Sequence, residues 1–471
     1  MHQILRQIVD VDVRGGEEVG LEVQRQVSDV CRRAVGAHLE GALAPFDADD
    51  RYLVIDRLDV DLGDVRLEHL ESALTTSLST AVAATLRERG VTPLPRGSTA
   101  TTGLRAFTAD EALLAGVLHF LRHGRLPWWY VSADPRPLDE RMLALLSPDG
   151  AVARPPGRDA SRPSASGGAF IVDLLRMLRS DSRARERLRR QFSTASVVKL
   201  LELIDAGAHG RLLEAVRSVR RSALSGEMRD RLEAGLVDVA IDAIAREAPP
   251  ASDGDLLRRA AMRLAPRLSG DERERLAAGV GFDVPVDLEH PSPAPALHLA
   301  ADDEAATEGL LVDDAGVVLL HPFLPRFFGA LGVAVDDALV RPARAALLLH
   351  HLATGALAAE EHDLVLAKVL CGIPIESPVP REAPVTAEEQ AEATALLDSV
   401  VRHWEVLRNT TADGLRGNFL ARRGRIELRE DDWVLRLELR PYDLLLDSLP
   451  WGIAHVKLPW MPRLMHVEWA A

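Results

Sequence analysis

Apolar and polar positions near the start of the chain switch between two periods. Val9, Val11 and Val13 alternate with Asp10, Asp12 and Arg14, as on a half-buried strand, and Gly15-Gly16 then turns the chain. Val23, Val27, Val30, Ala34 and His38 fall at helical spacing and predict a helix over about 19–43. Tyr52–Asp61 reads as a second strand, stopped by Gly63. Leu67, Leu70, Leu74, Leu78, Val82 and Leu86 form the apolar stripe of a further helix, which Gly90 is suited to end. Residues 1–90 are therefore expected to form a small α/β unit.

Residues 91–103, with two prolines and a Ser/Thr cluster, read as a linker, and residues 104–146 as a helical segment that carries Leu126-Pro-Trp-Trp129. A second linker, rich in Pro, Gly, Ser and Arg, is expected at 147–168. Residues 169–282 look all-helical, with 10–15-residue helices suited to a small bundle and no fixed-period repeat. A third linker, 283–307, leads into a C-terminal domain, 308–471. There Ala343–Leu352 and about 360–370 read as helices, and Thr386-Ala-Glu-Glu389 as a capping box. Leu396, Leu397, Val400, Trp404 and Leu407 continue that helix's buried face. His321 stands before Pro322, which disfavours helical backbone, and is read as ending a strand. Ile426, Leu428, Trp433, Leu435, Leu437 and Leu439 alternate on either side of Glu430-Asp431-Asp432 as a β-hairpin, to which Leu464–Trp469 could add a third strand. The expected class is α+β and multi-domain: mainly helical, with a small N-terminal α/β unit and a C-terminal helix-plus-β-hairpin domain.

Composition narrows this little. At 471 residues, two to four domains are expected. No apolar run approaches the ~20 residues of a membrane span, and Met1-His-Gln-Ile-Leu-Arg6 lacks the order of a signal peptide, so cytoplasmic residence is the expectation. Cys31 and Cys371 are read as two small buried thiols, not a disulfide. A net charge of −15 argues against a general nucleic-acid binder. Within this acidic chain Arg183, Arg185, Arg187, Arg189 and Arg190 form a basic cluster, read as a solvated helix face or as a docking patch for an acidic partner.

Catalytic signatures are missing. The chain has no G-x-x-x-x-G-K-[ST], H-E-x-x-H, C-x-x-C or G-x-S-x-G motif. His350 and His351 are adjacent and point to different sides of a helix, which disfavours a shared metal with His362, Glu360 or Glu361. Asp59 and Asp61 share one strand face and Asp56 lies on the other, and Asp443 and Asp447 sit near Tyr442; both sets are read as local structural carboxylates. No catalytic, cofactor-binding or metal-ligating residue is assigned. The aromatics are read as core or interface anchors: Trp404 and Trp433 as core, Trp128 and Trp129 as candidates, and Trp451 and Trp460 as indoles displayed on stiff Leu-Pro-Trp turns.

The most specific signal is a set of strings. They include His2-Gln-Ile4, Ile55-Asp-Arg-Leu-Asp-Val-Asp-Leu-Gly63, Leu126-Pro-Trp-Trp129 and Gly316–Phe328, the last containing Leu-Leu-His-Pro-Phe-Leu-Pro. Ala353-Thr-Gly355, Lys368-Val-Leu-Cys-Gly-Ile-Pro374, His403-Trp404, Leu415-Arg-Gly-Asn-Phe-Leu420, Tyr442-Asp-Leu-Leu-Leu446, Leu449–Met461 and Val467-Glu-Trp469 follow in order. By these strings the chain resembles, almost end to end, the tape measure proteins of extracellular contractile injection systems, which are phage-tail-like particles. The resemblance implies a non-enzymatic assembly role. It implies contacts with inner-tube, hub or baseplate proteins, cargo and an AAA+ ATPase as further partners, and a place in the cytoplasm during assembly and inside the finished particle. The interaction residues expected are Pro322, Phe323, Leu324, Pro325 and Phe328, with Trp128, Trp129, Trp451, Trp460, Arg183, Arg187 and Arg190. Two other classes compete with this one. One is a cytoplasmic adaptor or chaperone that leaves before completion; the other is an enzyme with a pocket joining His321 to Asp443 or Glu361.

Overall fold

A computed structural model describes residues 4, 7–14, 16–46, 51–55, 57–88, 104–132, 134–146, 165–204, 206–245, 252–282, 309–408 and 410–469. The stretches 91–103 and 283–307, and 147–164 of the stretch 147–168, lie outside the described residues. The chain divides into two compact units, one of residues 1–113 with 128–133, the other of 114–127 with 134–471.

In the first unit, α1 (Glu17–Val30) runs through a π-helical turn, Cys31–Val35, into α2 (Gly36–Leu43). The stripe beginning at Leu67 becomes 3-10 (Leu67–His69), a helical turn (Leu70–Ser72), a π-helical turn (Ala73–Ser77) and then α3 (Leu78–Glu88). That second π turn coincides with Thr75, whose hydroxyl donates to Glu71 O at 2.7 Å, a local bond that competes with the regular ladder. Val30, Val35, Leu39, Phe46, Leu70, Leu74, Val82 and Leu86 form this unit's core.

Both strands expected here are corrected. Residues 8–13 form no strand, and Ile8, Val9, Val11 and Val13 are exposed. The second strand is only β1 (Arg51–Ile55), paired antiparallel with β2 (Leu104–Thr108), so Asp59 and Asp61 do not share a strand face. Asp59 pairs with Arg57 and Asp61 accepts from Gly63 N. Alternation selects a face only when a neighbouring strand supplies the ladder, and residues 8–13 have none among the described residues.

The second unit opens with residues 114 onward of α4 (Ala109–His123), followed by α5 (Leu138–Leu146). The helical middle is α6 (Ala165–Ser180), α7 (Ser182–Gln191), α8 (Thr194–Ile204), α9 (Ala206–Arg221), α10 (Gly226–Ala245), α11 (Asp253–Leu264) and α12 (Gly270–Val280). Side-chain caps set several of these starts: Asp181 accepts from Arg183 N and Ala184 N, Ser252 accepts from Asp255 N, and Ser269 forms a capping box with Glu272. Helix α10 packs against α6, α7, α8, α9 and α11, which explains why its buried positions exceed one stripe.

The C-terminal part begins at β3 (Leu310–Val312), then 3-10 turns over Ala315–Leu320, α13 (Leu324–Ala330) and the small hairpin of β4 (Ala334–Val335) and β5 (Ala338–Leu339). Helix α14 (Pro342–Thr354) stops at Gly355, and α15 (Val365–Leu370) follows a 3-10 turn, Glu361–Leu364. Helix α16 (Ala387–His403) starts on the Thr386/Glu389 capping box, but ends before Trp404; Leu407 lies in a separate 3-10 turn. A short helix, α17 (Ala412–Leu415), precedes a π turn, Arg416–Leu420. Strands β6 (Gly424–Arg429), β7 (Asp432–Leu437), β8 (His455–Val456) and β9 (Met465–Glu468) join β3 in a five-stranded sheet of order β3-β6-β7-β9-β8. The hairpin β6–β7 pairs Ile426 with Leu435, and the expected third strand is β9, which lies parallel to β7 with Trp433 opposite Met465. His321 does not end a strand: it follows the 3-10 turns at 315–320, and its Nδ1 lies 3.0 Å from Val318 O. The architecture is mainly helical α+β. Among the described residues no helix is long and apolar enough to cross a membrane.

Candidate functional site

Several of the strings that carry the resemblance meet in space in the C-terminal part. Gly316 lies so close to the π turn at 416–420 that a Cβ there would fall 1.7 Å from Phe419 O, so only glycine admits this crossing. Trp404, fully buried, donates from Nε1 to Leu445 O at 3.2 Å and packs tilted, at 4.8 Å and 59°, on Phe419, which in turn meets Tyr442 at 5.6 Å. Residues from 316, 404, 419 and 442–445 thus share one core.

Around this core, the Leu-Pro-Trp turns fasten the 449–461 segment to the run at 318–328. Trp451 donates from Nε1 to Leu319 O at 3.0 Å, and its ring meets Phe323 edge-on at 5.2 Å. Trp460 donates from Nε1 to Leu370 O at 2.9 Å and packs on Phe328 at 5.6 Å. Both acceptors stand in the last turn of a helical segment, where carbonyls lack intrahelical partners, so each indole caps a helix end. Leu324 and Phe328 are fully buried, Phe323, Pro325, Trp451 and Trp460 are half-buried, and Pro322 is exposed. The sequence signalled these aromatics; the structure brings Phe323, Phe328, Trp451 and Trp460 into one clip. Trp128 and Trp129 belong to the other unit, where Trp129 stacks on Phe107 at 4.9 Å and 3°.

The basic cluster on α7 is the larger correction. Arg187 is fully buried, not solvated. Its Nε donates to Glu361 Oε1 at 3.1 Å, its Nη1 to Leu121 O at 2.6 Å, and its Nη2 to Glu376 O. Lys368, also buried, donates to the same Glu361 oxygen at 2.6 Å and to Ile375 O and Ser377 O at 2.9 Å each. Arg190 reaches Pro378 O at 3.1 Å and Gln191 reaches Val379 O at 2.8 Å. Five successive carbonyls, 375–379, thus accept from cationic or amide side chains, as an extended peptide would in a receptor groove. Arg183 closes the outer edge on Glu376 Oε2 at 2.8 Å, beside His123 at 3.0 Å from Oε1. Arg183, Arg187 and Arg190 are thus met by this chain's own 361–379 segment, whereas Arg189 pairs with Asp242 and Arg185 donates to Leu178 O at 2.6 Å.

Electrostatics follow from burial. Desolvation pulls the Lys368 ammonium down to about 8, against the opposing pull of Glu361. Glu376 is held below the usual carboxylate range, first by its hydrogen bond from His123. Gly124, at φ +73°, admits the cluster: a Cβ there would lie 2.5 Å from Glu361 Oε1 and 2.9 Å from Arg187 Nη2. Glu361 and Lys368 were not singled out together as a site in the sequence, although a signal existed. Lys368 is one of three lysines, set in the apolar run 365–370, and seven residues after Glu361 it returns to the same helical face.

The residues of the enzyme hypothesis keep separate partners. Asp443 accepts from the buried Arg422 at 2.9 Å and caps Arg440 N at 2.8 Å, His321 faces Val318 O, and Glu361 belongs to the clasp. His350 Nδ1 stands 3.9 Å from Asp314, while His351 Nδ1 lies 2.9 Å from Ala356 O. Among the described residues, no group of three or more His, Cys, Asp or Glu is placed to hold a metal ion.

Comparison with known families gives a match to the contractile injection system tape measure protein over residues 1–469, nearly the whole chain. No curated protein and no solved structure matches. The chain belongs to the contractile injection system tape measure protein family, a structural family of the phage-tail-like particles.

Proposed function

We propose that this protein controls or initiates assembly of the particle's inner tube, and that it does so as a folded tape-measure-type body and not as an extended rod. The observation that carries this reading is the ionic clasp. It ties α7, in the helical middle, to residues 361–379 in the C-terminal part through buried charges. Drawing the chain into a rod would strand Glu361, Arg187 and Lys368 and expose the C-terminal core. The longest described helix, α10, has 20 residues and would span only ~30 Å.

In this reading the half-buried clip of Phe323, Trp451 and Trp460, with exposed Pro322, faces inner-tube, hub or baseplate proteins. Such partly exposed aromatics on a stiff backbone suit interface anchors. An AAA+ ATPase and cargo are further proposed partners. The chain works in the cytoplasm during assembly, remains in the particle and carries out no turnover.

The test is electron microscopy of particles from a deletion strain, joined to mass spectrometry of wild-type particles. Absent or mis-sized tubes, with the chain present in finished particles, are expected. Defective assembly with the chain missing from particles would favour an adaptor that leaves. Normal tubes would overturn the proposal.

A further inference from the structure

Two imidazoles stand side by side on the outer face of the five-stranded sheet. His455 of β8 lies directly opposite His466 of β9, and directly opposed residues of an antiparallel pair share a face. Along β9 Met465 and Val467 turn inward, so His466 turns outward. The two ring centres are 5.1 Å apart at 73°; His455 is exposed, and the His466 side chain is 41% exposed. Zn–N bonds of ~2.05 Å, with a ring centre about 1.15 Å behind each nitrogen, put the centres of two tetrahedrally bound imidazoles about 5.2 Å apart. The rings already stand at the spacing of a shared ion.

A carboxylate sets which nitrogen is left for that ion. Asp432, at the end of the Glu430-Asp431-Asp432 turn, accepts from Leu464 N at 3.1 Å on Oδ1, and its Oδ2 lies 3.4 Å from His466 Nε2. With the ring proton on Nε2, facing Asp432, the Nδ1 lone pair of His466 is open to a metal. A carboxylate behind a ligating imidazole is the usual support of a zinc-binding histidine. The setting favours a cation: the turn adds Glu430 and Asp431, and Lys457, two residues beyond His455, directs its ammonium to Pro462 O at 2.9 Å. A second close pair, His119 and His123 at 4.6 Å, lacks this setting. Arg122 and Arg125 act on His119, and Arg183 shares Glu376 with His123, so a dication is repelled there.

We propose that His455 and His466 bind one zinc ion, with Asp432 fixing the His466 ring and water completing a tetrahedral shell. Neutral imidazoles suit zinc and not calcium or magnesium, which take oxygen ligands. Two protein ligands, fewer than the three or four of catalytic and structural zinc, make the site an exchangeable one. The ion would staple the two-residue edge strand β8 to β9, and with it the segment that carries Trp451 and Trp460. Any effect on the clip rests on its reading as an interface; the ion site does not.

The test uses the full chain, freed of metal by a chelator, and reads binding and not tube assembly. In calorimetry, zinc chloride should bind at this pair and raise the melting temperature, whereas magnesium chloride should do neither. His455→Gln and His466→Gln should each weaken zinc binding at least ~10-fold. Asp432→Asn, which keeps an acceptor for Leu464 N, should weaken it ~10–100-fold. Long-range 1H–15N spectra should show zinc moving the Nδ1 resonance of His466. No binding up to ~1 mM zinc, unaltered affinity in either histidine variant, or shifts confined to other histidines would each overturn the proposal. Unaltered affinity in Asp432→Asn would overturn the part given to the carboxylate.

Discussion

The amino-terminal unit and the C-terminal part of the second unit are built from similar alternating and helical patterns, but end in different states. Around the 424–437 hairpin each strand meets neighbours, and the alternation resolves into a five-stranded sheet whose inner face joins the core of Trp404, Phe419 and Leu435. In the amino-terminal unit the alternating stretch 8–13 meets no strand among the described residues, and its valines stay exposed. Period alone therefore says what a segment could bury, and the presence of a ladder partner decides whether it does. Polar groups show the same contrast. Asp59 and Arg57 pair in solvent, where such a bridge contributes little, whereas Glu361, Arg187 and Lys368 share a dry site in which each depends on the others.

The sharpest way to break this contrast is Glu361→Ala. It leaves two buried cations without their anion and should cost about 3–5 kcal/mol, read as a lower urea midpoint; a loss below ~1 kcal/mol would mean the clasp is not a structural tie. Trp460→Ala comes next. It removes a half-buried indole and its bond to Leu370 O and should cost about 2–3 kcal/mol. An unchanged thermal melt would show that the indole serves only an interface.

Asp314 gives a pH test of intermediate size. Burial, partly offset by a backbone hydrogen bond and reinforced by Asp313 and Asp363, raises its carboxyl from 3.8 to about 7, with His350 3.9 Å away. The folded state holds this proton more tightly than the unfolded one. The group's contribution is therefore complete below the unfolded value and is lost as pH rises through about 7. Asp314→Asn should flatten that slope and exceed the wild type in stability above neutrality, by up to a few kcal/mol; parallel melting curves from acid to neutral pH would contradict it. The smallest effect is expected at the other pole. Val11→Ala should change the melt by less than ~0.5 kcal/mol, since the exposed side chain buries little.

Much of the fold was legible where local chemistry decides it. The Thr386/Glu389 cap and the Glu430 hairpin were readable because each is settled within a few residues. The three π turns were not, because a single-residue slip barely disturbs an apolar stripe. Arg187 was misread for a different reason. Its helix looks polar all round, and the carboxylate that buries it lies 174 residues away. The aromatic clip was half legible: its members were visible as odd strings, while their mutual contacts and their helix-capping carbonyls depend on tertiary packing.

The claim that the protein acts folded is tested most directly by changing its length. An insertion of about forty flexible or helical residues within 91–103 lengthens the chain while leaving the clasp intact. A folded assembly body predicts tubes of unchanged length in electron micrographs of the complemented deletion strain. Tubes that lengthen in proportion, by about 60 Å for a helical insert at ~1.5 Å per residue, would contradict the account and make the chain a ruler.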